Sequence, residues 1–216
     1  MMSFLLLMIT FSEMLISFLP FDVKSLPLNE KVLILLIIDI LFLCIIIWGY
    51  FDTIKKDFKL FFKDFFNNIE ISFKYWLIGL IVMIISNAII LVITGGQIAN
   101  NEESVRTLLD AVPFYMLFSV SIYAPITEEL IFRKSFRDFI KNKWLYIIIS
   151  GFVFGALHVV TSITSFTDLL YLIPYCSLGI AFSYTYYKTN NIFSTICMHS
   201  IHNTMAAILL LIGSGI

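Results

Sequence analysis

Seven residues in the second half of the chain have the types and spacings that acid–base chemistry needs: Glu128, Glu129 and Arg133, then His158, then His199, His202 and Asn203. They include all three histidines of the chain, and each interrupts a run of apolar residues. On a helix, adjacent Glu128 and Glu129 point in different directions, whereas Glu129 and Arg133 stand four apart on one face and can pair. That pairing neutralises Glu129 and leaves Glu128 for chemistry. A buried glutamate with a histidine in reach is a general base for water, and a His/Asn pair on a facing helix stabilises an oxyanion. Hydrolysis of an amide needs both. The chain has no His-Glu-x-x-His, Gly-x-Gly-Asp or Gly-x-Ser-Gly signature, which sets aside the other common intramembrane proteases.

The elements that must hold these residues are set by composition. Of 216 residues 60% are hydrophobic, 16% aromatic and only 13% charged, where a soluble domain carries about 25% charged residues. At about 20 apolar residues per helical span, the chain has room for roughly six to eight spans. The expected fold is therefore all-α, a polytopic membrane bundle of about seven helices in one domain, 1–216. Apolar runs place the spans near 2–20, 31–51, 73–96, 111–141, 143–160, 168–187 and 191–215, with the chemistry carried by 111–215. The first run has no positive leader and carries Glu13 and Pro20, so it reads as a span rather than a cleaved signal. Cys44, Cys176 and Cys197 fall in apolar runs, without ligand or disulfide spacing.

Charge position orients the bundle. Segment 52–72 interleaves Lys55, Lys56, Lys59 and Lys63 with Phe58, Phe61, Phe62, Phe65 and Phe66, the pattern of an interfacial amphipathic helix on anionic headgroups. A second basic group comprises Arg133, Lys134, Arg137, Lys141 and Lys143, with Lys188 further on. Around 97–110 and 161–168 only Arg106 stands beside Glu102, Glu103, Asp110 and Asp168. The positive-inside bias puts the basic segments in the cytoplasm, with the N-terminus inside and the C-terminus outside. A net charge of −1 offers no basic surface for nucleic acid.

An ionisable side chain at mid-span costs at least ~2.5–3.5 kcal/mol, so those within the spans are functional candidates by default. Glu13 and Asp39 stand singly, explained as well by a tertiary hydrogen bond as by function. Gly151 and Gly155 make a Gly-x-x-x-Gly spacing that admits a neighbouring helix closely, and His158 projects within ~20° of the same direction. Measured from the turn at Asn142 at ~1.5 Å per residue, Glu128 and His158 both lie ~21–24 Å deep, and His199 to Asn203 lie ~12–18 Å from the turn near Asn191. Thr195, His199, His202, Asn203 and Ala206 share one stripe, the wall of a cavity.

The three motifs, Glu128-Glu129-x-x-x-Arg133, Phe154-x-x-x-His158 and His199-x-x-x-Asn203, in that order on successive membrane helices, resemble those of the CAAX-protease and bacteriocin-processing (CPBP, or Abi) family of intramembrane proteases. The resemblance covers 128–203. It implies a seven- or eight-helix fold around a conical cavity open to cytosol and lipid, in a bacterial plasma membrane. It implies that Glu128 activates water together with His158, that His199 and Asn203 form the oxyanion site, and that Glu129 and Arg133 orient them. His202 is not a motif position and has a supporting place. Lys134 stands where many bacterial relatives have glycine, a departure that bears on helix packing. A divalent metal such as zinc would need three ligands, which Glu128, His158 and His199 supply; the glutamate–water route needs no cofactor and is favoured.

The leading expectation is an endopeptidase acting near the cytoplasmic leaflet on a peptide or membrane-anchored substrate, in bacteriocin self-immunity or peptide maturation. Its rivals are a non-catalytic immunity or scaffold protein that uses the cavity for binding, and a small transporter in which Glu128, His158 and His199 relay protons.

Overall fold

The computed structural model describes residues 16–18, 23–160 and 163–213. Apart from short 3-10 turns at Val23–Ser25 and Phe166–Tyr171, the described chain forms eight helices and no strand. These are α1 (Leu28–Gly49), α2 (Phe51–Lys63), α3 (Phe65–Ile93), α4 (Asn100–Ala111), α5 (113–139), α6 (Lys143–Val160), α7 (Leu172–Thr189) and α8 (Ile192–Gly213). Among the described residues five stretches are long and apolar enough to cross a membrane: α1, α3, α6, Phe166–Thr189 and α8. Helix α5 is helical throughout but alternates α turns with two π segments, Ser119–Tyr123 and Glu129–Ser135. The span expected at 2–20, with Glu13, lies outside the described residues.

The lysine-rich segment divides at Asp64, whose backbone leaves the helical region at φ −126°, ψ 45°. Its first part is α2, with the four lysines exposed and Asp57 and Phe61 buried. Phe65 and Phe66 already belong to α3, which is why α3 starts eight residues before the expected span. The expected loop at 97–110 contains α4, a short helix without an apolar run. Glu102 and Glu103 lie in its first turn, where carboxylates favour a helix N-terminus. Arg106 pairs with Glu102 one turn on, at 2.6 Å.

Small residues set how closely the spans approach. A methyl group on Gly151 would lie 2.7 Å from the Ile180 nitrogen, one on Gly155 2.6 Å from the Cys176 nitrogen, and one on Gly179 2.5 Å from the Gly151 carbonyl oxygen. The backbones of α6 and α7 are therefore in direct contact, as the Gly-x-x-x-Gly spacing led one to expect. On its other side α7 meets α3 at Gly79, where a methyl group would come within 2.8 Å of Ala181 Cβ. Helix α8 packs across α5, α7, α3 and α2.

The basic end of the bundle is sealed. Phe42 and Ile46 of α1, Leu130, Phe132 and Phe136 of α5, Tyr146 and Ile147 of α6, Tyr186 of α7 and Ile192 of α8 form one buried cluster. Asp57 joins α2 to the start of α8: its carboxylate accepts the Ile192 N–H at 2.9 Å, and its carbonyl accepts Asn191 Nδ2 at 2.8 Å. A carboxylate from another helix thus caps the helix that carries His199 and Asn203. Asp57 is fully enclosed, and that burial raises its carboxyl above the usual carboxylate range; the Ile192 N–H, Lys56 and Lys134 pull the other way. In the second span Asp39 accepts the Tyr115 hydroxyl at 2.9 Å, a tie between α1 and α5.

Candidate active site

The site forms where the first π segment of α5, the end of α6 and the middle of α8 converge. Pro125 has no N–H to give, and the Ala124 N–H goes to the Ser119 carbonyl, five residues back. The Val120 carbonyl is left without a helical donor, and Asn203 Nδ2 supplies one from α8 at 2.9 Å. In the second π segment the Phe132 carbonyl likewise accepts Ser150 Oγ of α6 at 2.7 Å, and Ser150 is bonded in turn by Ser183 of α7 at 2.9 Å. A π turn inside an α-helix is a frequent mark of a functional segment. Here its freed carbonyls fasten α5 to two neighbours.

Glu129 and Arg133 make the pair their spacing calls for, with Arg133 Nε 3.0 Å from Glu129 Oε2 and both side chains wholly enclosed. The guanidinium lies over Phe154, 4.6 Å from the ring centre, and within 5.8 Å of Phe182. The other Glu129 oxygen meets His199 Nδ1 at 2.9 Å. Because Arg133 holds Glu129 as a carboxylate, which only accepts, His199 Nδ1 carries the proton. Phe182 stacks on the same imidazole, with centroids 5.1 Å apart and planes at 23°. His199 Nε2 then faces Glu128, whose Oε2 lies 3.8 Å away. Two adjacent glutamates thus flank one imidazole.

Glu128, His158, His199, His202 and Asn203 all line one cavity of about 570 Å³, within the ~300–1,000 Å³ usual for ligand sites. Glu129 and Arg133 stand behind its wall. His158 donates Nδ1–H to the Phe154 carbonyl at 2.9 Å, which leaves Nε2 as an acceptor, and it stacks on Tyr175 with planes at 21°. Trp76 Nε1, which can only donate, reaches His202 Nδ1 at 3.4 Å, so His202 is neutral and keeps its proton on Nε2. The direct neighbour of Glu128 is His199, while His158, which the depth arithmetic brought to the level of Glu128, lines the same cavity. Lys134 sits outside the site, half-buried and paired with Asp138 at 2.7 Å.

Sequence reasoning missed Trp76, Tyr175 and Val120. Tyr175 stands one turn before Gly179, on the face that meets α6, which was its only signal. Among the described residues no three His, Cys, Asp or Glu side chains converge as metal ligands. Glu128, His158 and His199 share the cavity without forming such a set.

Fold and site together define a polytopic α-helical membrane protein with a carboxylate–imidazole cavity. A family model described as type II CAAX prenyl endopeptidase Rce1-like matches residues 110–205, the segment that holds all three motifs. YdiL of Bacillus subtilis (strain 168), whose name provisionally makes it a membrane peptidase, is 31% identical over 117 residues, 53% of this chain and 44% of YdiL. The membrane-embedded CAAX protease MroQ of Staphylococcus aureus (strain USA300) is 26% identical over 132 residues, 58% of this chain and 51% of MroQ. The UPF0177 protein YbdI of Lactococcus lactis subsp. lactis (strain IL1403) is 27% identical over 178 residues, 78% of this chain and 92% of YbdI. The chain thus spans about half the length of the two relatives named as proteases. No solved structure matches it. Over residues 110–205 the chain is thus similar to CAAX-type membrane endopeptidases, and its apolar helices make it an integral membrane protein.

Proposed function

We propose that this protein is an intramembrane endopeptidase that hydrolyses a peptide bond with a glutamate-activated water. The observation that carries the proposal is His199 held between two glutamates, one on the cavity and one behind it. Glu128 removes a proton from water as the water oxygen attacks the scissile carbonyl carbon. His158 Nε2 accepts a hydrogen bond from the same water and orients it. The carbonyl oxygen takes up the electron pair, and His199 Nε2–H with the remaining Asn203 Nδ2–H stabilises it. Protonated Glu128 passes its proton to the leaving nitrogen, the C–N bond breaks, and an acid and an amine result.

The protonation states are consistent. His199 donates Nδ1–H to Glu129, so donation from Nε2 as well requires the imidazolium. Glu128 and Glu129 then balance Arg133 and His199, and the buried group has no net charge. When Glu128 takes the proton of water, the new oxyanion replaces its negative charge, and the balance holds through the step. A largely buried site of low dielectric penalises any step that creates net charge, which favours this one.

The name of MroQ supports the reading, and peptide maturation or bacteriocin self-immunity is the setting we attach to it. The test is cleavage of peptide substrates by purified protein in proteoliposomes, wild type against Glu128→Gln, with metal content measured on the same samples. Wild-type cleavage that Glu128→Gln lacks, at substoichiometric metal, is the expected result. Equal cleavage by both variants refutes the role of Glu128, and one tightly bound metal per chain refutes the metal-free step.

A further inference from the structure

The cavity is one-sided. Its walls come from the half of each helix remote from the basic turns: Ala124 precedes the Arg133 end of α5, His158 ends α6 far from Lys143, Tyr175 opens α7 ahead of Lys188, and Ala206 lies deep in α8 beyond Asn191. Asn87 of α3 and Glu102 of α4 complete it at the same end. On the basic side the level below His199 is closed by Arg133, Phe132, Tyr146, Tyr186, Ile192 and Ile196, all buried. Asn101 of α4 donates to the Tyr175 hydroxyl at 3.2 Å, and that ring stacks on His158, so the short helix between α3 and α5 reaches the wall of the site.

The two ends differ in charge. At the closed end stand Lys55, Lys56, Lys59, Lys63, Arg137, Lys141, Lys143 and Lys188; at the cavity end Glu30, Glu102, Glu103, Asp110 and Asp168 outnumber Lys24, Lys31 and Arg106, the last paired to Glu102. Basic residues concentrate in cytoplasmic loops. A cytosolic opening, which the family resemblance implies, and a cytoplasmic lysine face, which the charges imply, are therefore incompatible in this chain.

We infer that the cavity opens to the external side, and that its substrate is a peptide segment presented in or on the outer leaflet: a secreted or translocated peptide, or the outer end of a membrane-anchored one. This rests on the protease reading, and it replaces a substrate held in the cytosol. The volume suits a short segment threaded between α4 and the ends of α6 and α8.

Sidedness is read by cysteine labelling in intact cells with a membrane-impermeant maleimide, using Ser104→Cys on α4, Ala206→Cys in the cavity and Lys55→Cys on α2, each against the parent chain as background. Glu103→Cys replaces Ser104→Cys if that variant is not recovered in the membrane. The expected result is labelling of Ser104→Cys and Ala206→Cys before permeabilisation, lost after prior treatment with a second impermeant thiol reagent, and labelling of Lys55→Cys only after permeabilisation. Labelling of Lys55→Cys in intact cells, or of Ala206→Cys only after permeabilisation or not at all, overturns the inference. Labelling needs no turnover, so it stands or falls apart from the protease reading, which cleavage of an externally added peptide by wild type and not by Glu128→Gln decides separately.

Discussion

Glu128 and Glu129 are neighbours in sequence, yet their substitution is expected to produce opposite defects. Glu129 is wholly enclosed and is the ion-pair partner of Arg133, which is wholly enclosed too. Glu129→Gln leaves a buried guanidinium without its counter-ion, a change that costs ~3–5 kcal/mol. At ~2–4 °C per kcal/mol for a chain of this size, the apparent Tm in detergent should fall by about 6–20 °C. Replacing both, as Glu129→Gln with Arg133→Gln, removes the unpaired charge, so the double variant should lose less than the sum of the single losses. Glu128 is partly open to the cavity, its side chain 18% exposed, with His199 Nε2 3.8 Å from its Oε2. Glu128→Gln keeps its shape and should stay within ~0.5 kcal/mol of wild type. Losing a general base should still lower cleavage by at least ~10²–10⁴-fold. Thermal unfolding followed by intrinsic fluorescence and a cleavage assay on the same preparations check both halves. An unchanged Tm in Glu129→Gln, additive losses in the double variant, or a Glu128→Gln as unstable as Glu129→Gln would refute the assignment of one carboxylate to structure and the other to chemistry.

Three further outcomes follow from the geometry. Asn203→Ala should cost ~1–3 kcal/mol by orphaning the Val120 carbonyl and should lower kcat by ~10²–10³-fold; Pro125→Ala, which restores a helical N–H, should relieve the stability loss but not the kcat loss, as unfolding and kinetics on the double variant will show. Gly155→Ala should destabilise by ~1–3 kcal/mol because its methyl group meets the Cys176 backbone, whereas Gly49→Ala, with nothing within 4 Å, should be neutral or slightly stabilising in the same unfolding assay. The Asp57 carboxyl is raised on folding, so its contribution is fully present at low pH and is lost as pH rises through the folded-state value; Asp57→Asn, which still accepts the Ile192 N–H, should gain stability relative to wild type across that acid range, whereas Asp57→Ala should lose ~1 kcal/mol at low pH and progressively less as pH rises.

Local spacing made part of the site legible. Four residues on one helix turn fix the Glu129–Arg133 pair whatever surrounds them, and helical periodicity alone reads the stripe from His199 to Ala206 as a cavity wall, although Thr195, expected on the same wall, is fully buried and does not line the cavity. Gly151 and Gly155 foretold a close helix neighbour, which the structure shows to be α7, because a methyl group at either position would meet its backbone. Rotation between helices was not legible: depth counted from the turns put Glu128 and His158 at one level without establishing a contact, and rotation put His199 beside Glu128. The bond from Asn203 to Val120 was hidden too, since it arises from a π turn that Pro125 leaves without a donor. Asp57 lies 134 residues before Asn191 and had no local sign of capping α8. Helix α4 escaped notice because it is short and polar, stabilised by its end charges and one exposed ion pair rather than by an apolar run.

The central claim, that this chain cleaves peptides through Glu128, is tested most directly by quantitative mass spectrometry of peptide termini from membranes of cells expressing the wild type or Glu128→Gln at equal level. New termini present with the wild type and absent with Glu128→Gln, while both proteins are recovered folded, are the predicted result. Identical sets of termini from both would contradict it.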